Sequence, residues 1–452
     1  ADGSANEYAL RSFFGRLTYD YDNRYLVEAN IRRDGTSRIF KDSRWGVFPS
    51  FSGAWRIINE PFMEGTRNVL SDLKLRGGWG VLGNQAISYY SYQSVLDQAN
   101  YSFGGTVVQG VAPVDGANRD LIWETTETLN FGLDMGFLGN QYTLSIEGYR
   151  KLTYDILMKL PVSTLYGLNA PYQNAGKVKN TGLEITAGYK LNTHGWNFQV
   201  SANAAYNKNE VMDLKNGGAR IWSGKYFNQE GYAINSIGGY IAEGLFKTEE
   251  EVANSATIPG TDTAPGDIKY RDINNDGKID GEDRVYIGNT MPKWTFGLNL
   301  FAEWKGLDAT FLFQGAADVQ GYLAGPGVVG EMIGAKGKPS YMYRDCWDAE
   351  TNPNGKFPRA FSSYRQNNSI YNPSAFWIVN SSYLRLKNFQ LGYTLPKEWC
   401  NMMGISRIRV YYSGQNLLTF TKFDKGFDPE SPEGGSSYPQ VKTNTFGLNI
   451  TF

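Results

Sequence analysis

An all-β fold, a transmembrane antiparallel β-barrel, is what this sequence predicts, on three observations. Apolar and polar residues alternate with a period of two through thirteen stretches of the chain. That is the pattern of a strand with one greasy and one wet face. The connections between these stretches alternate short and long, as the tight turns and long outer loops of outer-membrane barrels do. Aromatics are 15% of the 452 residues, with 30 Tyr, 25 Phe and 11 Trp beside 52 Gly, yet the mean hydropathy is only −0.42. Many strands that are apolar on one face only produce this combination.

Composition also excludes some readings. A net charge of −1 offers no field for nucleic acid. No apolar run reaches the roughly 18 residues of a membrane-spanning helix, but barrel strands need only about ten residues, half of them polar. Two cysteines, Cys346 and Cys400, are too few for a disulfide scaffold. The sequence opens on Ala1 without Met or a charged-then-apolar signal segment, so an internal or C-terminal piece of a longer protein is expected.

Taken in order, the first strand alternates Phe13, Gly15, Leu17, Tyr19 and Tyr21 with Phe14, Arg16, Thr18 and Asp20, and Asp22-Asn23 turns it. The return strand sets Tyr25, Val27, Ala29 and Ile31 against Glu28, Asn30 and Arg32. Strands three and four carry Phe51 to Ile57 and Leu73 to Trp79, and five and six carry Leu129 to Met135 and Tyr142 to Ile146. Seven and eight carry Leu183 to Tyr189 and Trp196 to Ala202, and nine and ten Trp294 to Leu300 and Leu307 to Phe313. The eleventh changes phase between Leu386 and Phe389, which predicts a β-bulge near Lys387-Asn388. Ile408 to Gly414 form the twelfth, and Phe446, Leu448, Ile450 and Phe452 the apolar side of the last.

Short turns are expected at Asp22-Asn23, Arg56 to Ser71, Leu138 to Asn140, Asn192 to His194 and Lys305-Gly306, with a moderate one at Pro396 to Gly404. Placing these in the periplasm makes the last strand end there and the first begin outside. Complete barrels start in the periplasm with an even strand count. An odd number of strands is therefore expected before Ala1, since a thirteen-stranded sheet would expose two edges to lipid.

Several stretches resemble the SusC-like (RagA-like) TonB-dependent transporters of Bacteroidetes outer membranes. These are Phe13-Phe14-Gly15-Arg16-Leu17, Arg32-Arg33-Asp34-Gly35-Thr36-Ser37-Arg38, Trp45-Gly46-Val47-Phe48-Pro49-Ser50 and Leu73-Lys74-Leu75-Arg76 running to Gly83-Asn84. Asn174-Ala175-Gly176, Asn180-Thr181-Gly182-Leu183-Glu184, Gly266-Asp267-Ile268-Lys269-Tyr270 and Ser413-Gly414-Gln415-Asn416-Leu417 continue the series. The resemblance implies that residues 1–452 are the C-terminal part of one receptor barrel. About thirteen strands of a plugged barrel of roughly 22 would lie here, and the plug domain and N-terminal strands would lie outside. It implies an active importer of oligosaccharides or peptides that is not an enzyme. A SusD-like surface lipoprotein would cap the barrel as a lid, and the TonB complex would pull on the plug from the periplasm. Barrel–lid pairs would associate as dimers. A passive porin-like or adhesion barrel is the alternative.

One motif carries metal chemistry. Asp272, Asn274, Asp276, Lys278, Asp280 and Asp283 fall at positions 1, 3, 5, 7, 9 and 12 of an EF-hand-like or dockerin-like loop, with Gly277 at the sharp turn of position 6 and Lys278 offering its carbonyl. Hard cations take six to eight such oxygens, so structural Ca2+, or Mg2+, is expected in an outer loop. Asp283 stands where the longer Glu is usual, which weakens bidentate closure.

A Ser-His-Asp arrangement has no candidate base, since the only histidine, His194, sits in a short turn. Composition leaves a two-carboxylate glycosidase open, but no paired acidic stretch stands out beyond the metal loop. The outer loops are expected to expose Trp222, Tyr226, Tyr341, Tyr343, Trp347, Phe361, Tyr364 and Trp377. Such rings stack on sugars or pack on peptide side chains, and Trp222, Tyr226, Tyr341, Tyr343 and Trp347 are the candidate ligand contacts. The plainer reading is that they pack the loops together or dock a partner. Trp55, Trp79, Trp196, Trp294 and Trp304 read as interfacial anchors.

Overall fold

A computed structural model describes residues 5–323, 342, 344–360, 372–423, 427–431 and 440–452. A sheet of thirteen strands dominates it, hydrogen-bonded in the order in which the chain makes them. They are β1 Leu10–Tyr21, β2 Tyr25–Thr36, β3 Trp45–Arg56, β4 Leu70–Asn84, β5 Glu124–Phe137, β6 Tyr142–Tyr154 and β7 Lys177–Thr193. β8 Trp196–Asp213, β9 Trp294–Trp304, β10 Leu307–Ala317, β11 Tyr383–Thr394, β12 Arg407–Thr421 and β13 Thr443–Thr451 complete it. All thirteen expected strands are present, and the chain divides into two compact units.

The first unit comprises Ala1–Gly188, Tyr206–Ile221 and Asn228–Ile234. β1 and β2 pair antiparallel from Leu10↔Thr36 to Tyr21↔Tyr25. Asp22 and Asn23 close the hairpin at φ 53° and 51°, values that Asp and Asn tolerate because a short polar side chain can bond locally. Asp20 does so, accepting the Asn23 amide at 2.8 Å. On one face large apolar side chains stand open: Leu17 is 70% exposed and Phe131 61%. Soluble surfaces do not carry contiguous apolar faces of this extent.

Below β3, Glu60 is buried. It accepts from the Tyr25 hydroxyl at 2.6 Å and the Trp55 indole at 2.9 Å, and pairs with Arg24 at 3.2 Å. Those partners, the Tyr25 hydroxyl first, hold its carboxyl below the usual range. The rings of Tyr25 and Trp55 lie stacked 6.4 Å apart. Each therefore presents an apolar body outward and a polar tip inward, the arrangement of an interfacial aromatic.

Between β4 and β5 the connection contains an additional ribbon, Leu96–Phe103 paired with Thr106–Pro113.

The second unit comprises Tyr189–Ala205, Trp222–Phe227 and Asn235–Phe452. β9 and β10 pair through Trp304↔Leu307 across Lys305-Gly306, at φ 47° and 85°. Two positive φ values make a type I′ turn, whose twist matches the strands it joins. The β7–β8 turn is built the same way from His194 and Gly195, at φ 49° and 79°. It sits one residue beyond the expected Asn192 to His194, because the tight turn takes the glycine as its second central residue.

The expected bulge is present. Phe389 pairs Gly414 and Leu386 pairs Leu418, with the register shifting between Leu386 and Asn388. Against β10, Leu386 pairs Phe313 and Asn388 pairs Leu312, so Lys387 is the inserted residue there, whereas against β12 the extra residue falls at Asn416-Leu417. Both flanking segments of β11 keep their apolar side chains on one face. A short helix, Lys397–Met402, links β11 to β12. On β13, Phe446 is 81% exposed.

Replacing Phe131 by Arg in mid-strand is expected to cost about 2–4 kcal/mol of folding stability in bilayers. Thr18→Arg, on the polar face, is expected to be near neutral. Urea titration of the refolded barrel in vesicles checks both, and equal effects would refute the lipid assignment.

Candidate functional site

Two regions carry the chemistry: the polar face of the sheet and the assembly of long connections. On the polar face of the first unit, β4 supplies Lys74 and Arg76, β5 supplies Asn130 and Asp134, and β6 supplies Ser145 and Glu147. Lys74 Nζ lies 2.9 Å from Asp134 Oδ2, and Arg76 bridges Asp134, at 3.2 Å, to Glu147. Ser145 donates to Asp134 at 2.7 Å and Asn130 to Glu147 at 3.0 Å. Two cations and two carboxylates therefore neutralise one another. Above them a concavity of 560 Å³ is lined by Thr18, Asp20, Glu28, Lys74, Arg76 and Asn130.

The polar face of the second unit repeats the principle. Arg409 on β12 donates through Nε to Asp308 on β10 at 2.9 Å. Glu303, Gln390 and Arg407 line a 750 Å³ concavity with them.

The long connections of the second unit fold around a core of their own. Ile237, Tyr240, Ile268, Tyr270, Ile279 and Trp377 are among its buried residues. Burial among apolar neighbours pushes the Tyr322 phenol up to about 12; its oxygen accepts the Ser374 amide at 3.3 Å.

The predicted aromatic contacts separate here. Trp347 and Trp377, expected to stand exposed, are 7% and 1% exposed. The loops have too much apolar surface to leave wet, and these indoles fill their core. Trp347 still forms part of the wall of an 800 Å³ cavity with Lys247, Arg344, Asp348 and Arg359. Trp222 is half-buried; it packs on Phe227 at 5.3 Å and lies under the Arg284 guanidinium at 5.1 Å. Tyr226 is half-buried too, with the Lys225 ammonium 4.9 Å above its ring. Tyr341, Tyr343, Phe361 and Tyr364 lie outside the described residues.

The acidic loop forms the turns its spacing implies. Asp272 accepts from Asn275 at 2.7 Å and from Gly277 at 2.8 Å, the latter at φ 85°. Asn274 accepts the Asp276 amide at 3.2 Å. Asp283 is fully buried and accepts from Ile273 and Asp280, each at 2.8 Å. Ile279 enters the loop core and its amide bonds Thr257 at 3.0 Å. The Lys278 ammonium lies between Asp280, at 2.6 Å, and Asp276, at 3.4 Å. That pairing raises the lysine and lowers Asp280 from their usual values. Among the described residues no group of three or more His, Cys, Asp or Glu side chains is arranged to hold a metal. The donor set nonetheless suits a hard cation: every donor is an oxygen, and the positive charge between positions 5 and 9 is the lysine's own.

One cluster was missed by the sequence reading. Arg385, 2% exposed, donates to Thr419 and Asp428, each at 2.9 Å, and pairs with Glu430 at 3.1 Å. Lys387 joins Glu430 at 2.9 Å, and Ser381 donates to the Pro429 carbonyl at 2.6 Å. The bulge was the available signal, because it sets Lys387 beside Arg385 opposite the acidic Asp428-Pro429-Glu430 stretch.

An antiparallel sheet with one exposed apolar face, one charge-paired polar face and long connections with their own core has the make-up of an outer-membrane barrel wall. Residues 1–417 match the family model "TonB dependent receptor-like, beta-barrel", and the chain belongs to that family. Within it, the chain is a SusC-like, RagA-like sequence. It is 31% identical over 471 residues to TonB-dependent receptor P3 of Formosa agariphila, covering 99% of the chain and 46% of that protein. It is 30% identical over 485 residues to TonB-dependent receptor SusC of Bacteroides thetaiotaomicron, covering 99% and 44%. The solved RagAB peptide transporter superposes with a TM-score of 0.80 at 29% identity, over 98% of this chain and 48% of that one. The chain thus spans about half the length of the curated relatives it matches. Members of this family are transporters of the outer membrane, not enzymes.

Removing a buried guanidinium strands the carboxylates it serves. Arg385→Gln is therefore expected to destabilise the barrel by about 3 kcal/mol, and adding Asp428→Asn to recover part of that. The temperature at which the folded band disappears in gel electrophoresis checks it; no shift in the single variant would show that Arg385 is not holding the loop.

Proposed function

We propose that this chain is the C-terminal barrel portion of an active outer-membrane importer of oligosaccharides or peptides. The observation that carries this reading is the two-faced wall: an apolar face open over the strands, backed by a polar face whose charges pair among themselves. Such a wall suits a wet, walled passage in a bilayer. The fold of the RagAB peptide transporter supports a peptide cargo, and the likeness to SusC supports the wider nutrient class. Half-buried Trp222 and Tyr226 are the aromatic faces best placed to meet cargo, with Trp347 bracing the loops behind them.

A plug and further N-terminal strands complete the barrel, which β1 and β13 bound at the two ends of the strand order. The short-turn end and the C-terminus face the periplasm. There the TonB complex pulls on the plug. A SusD-like lipoprotein lid closes over the long loops, and barrel–lid pairs associate as dimers.

Residues 272–283 hold one structural Ca2+, with Mg2+ the weaker fit. Asp272, Asn274, Asp276, Asp280, Asp283 and the Lys278 carbonyl are the donors, and the Lys278 ammonium gives way to the ion. Ca2+ is expected to protect this loop from trypsin cleavage at Lys278, and Asp272→Asn with Asp276→Asn to abolish that protection. Equal cleavage with and without Ca2+ in the parent protein would remove the metal.

Uptake of labelled oligosaccharide and peptide pools by cells carrying the intact protein tests the transport reading. Import that collapses when a protonophore discharges the inner membrane is expected for one of the two pools. Import indifferent to the protonophore would make the protein a passive pore.

A further inference from the structure

The rim of short turns in the second unit carries side chains that the import cycle does not use. Trp196 follows the His194-Gly195 turn and Trp304 precedes Lys305-Gly306. Their indoles stack 5.3 Å apart at 17°, so the two turns sit side by side. Both rings stay open on the apolar face, 46% and 38% exposed. The Lys305 ammonium stands 4.8 Å over the Trp304 ring, and the exposed His194 imidazole meets its neighbour Thr193 at 2.8 Å. The next connection adjoins them, since the Thr394 amide bonds the Gly306 carbonyl at 2.7 Å. It leads into the short helix 397–402, whose Cys400 is buried while Trp399 and Met402 are 54% and 79% exposed. Lys397 and Glu398 are exposed at its start.

We propose that this rim is a binding site for one anionic phospholipid. Lys305 takes the headgroup phosphate, Lys397 adds a second positive charge, and the Trp196–Trp304 ledge takes the glycerol and upper acyl region. Three features of the rim select that occupant. The ledge continues the apolar face that the strands turn to lipid. The rim is more cationic than anionic, Lys305, Lys397 and Arg407 outnumbering Glu303 and Glu398 while Asp308 is paired with Arg409. A stacked pair of indoles capped by an ammonium has the flat apolar body and polar edge of a membrane-interface site. The proposal rests on the membrane reading above; with the short turns periplasmic, the lipid belongs to the inner leaflet of the outer membrane.

Native mass spectrometry of the intact protein in mild detergent, titrated with phosphatidylglycerol, phosphatidylcholine or inorganic phosphate, tests it. One phosphatidylglycerol is expected to survive detergent removal, with phosphatidylcholine held less well and inorganic phosphate failing to displace it. Lys305→Asn, which leaves an Asn-Gly pair suited to the same turn, and Lys397→Gln are each expected to lower retention about fivefold. Unchanged retention in the double variant, with the folded band intact on gels, would overturn the site. Displacement by inorganic phosphate would make it an ion site and not a lipid site. Labelling of an Asn192→Cys variant by an impermeant maleimide reports the side separately: reaction in intact cells would overturn the leaflet and leave the lipid.

Discussion

In hydrocarbon no water is available to a backbone amide, so each strand must give its N–H and C=O groups to a neighbour. The rest of this chain follows from that demand. It sets thirteen strands in chain order, because hairpins are the shortest way to provide each strand with its next partner. It selects turns whose twist continues the sheet, hence positive φ at His194-Gly195 and Lys305-Gly306. It also accounts for the side-chain alternation, since a paired strand has two faces that meet two different solvents.

The same solvent contrast disciplines charge. On the polar face, Lys74, Arg76, Asp134 and Glu147 form a neutral set, as do Arg409 and Asp308. A wall of paired charges presents hydrogen-bonding edges without a strong field of either sign. Where a bulge adds a residue, the pairing turns outward from the sheet: Arg385 and Lys387 engage Asp428 and Glu430 and tie a long connection to β11. A β-bulge that looks like a defect in the alternation is thus the place where wall and loop are joined.

The wall was legible in the sequence because its rule is local. Period-two alternation found every strand of the thirteen-stranded sheet, and the phase change at Lys387 found the bulge. Alternation under-measured β7 and β8, read over 183–189 and 196–202 but running to Lys177–Thr193 and Trp196–Asp213. Past the apolar band a strand no longer needs one greasy face, and the signal stops while the hydrogen bonds continue. The ribbon 96–113 was missed although Gly104-Gly105, at φ 57° and 83°, is a strong hairpin signal; its mixed faces hid it. The loop core was illegible for a different reason. Ile237, Tyr270, Tyr322 and Trp377 are far apart in sequence and follow no period, so composition could show aromatics in the loops but not which of them were buried.

The two ends of the wall are therefore stabilised differently. At the short-turn end, support is local: a type I′ turn, a girdle indole and a nearby partner such as Glu60, which holds Arg24, Tyr25 and Trp55 from one connection. At the long-loop end, support reaches further along the chain: Arg359 clamps Asp267, 92 residues away, across the loop assembly at 2.9 Å. A local device tolerates little change, because each part is needed in place. A remote one can exchange its exposed residues, such as those around Trp222 and Tyr226, while its buried ones keep the loops assembled. Variation in what the loops touch can then proceed without disturbing the hydrogen-bonded wall below.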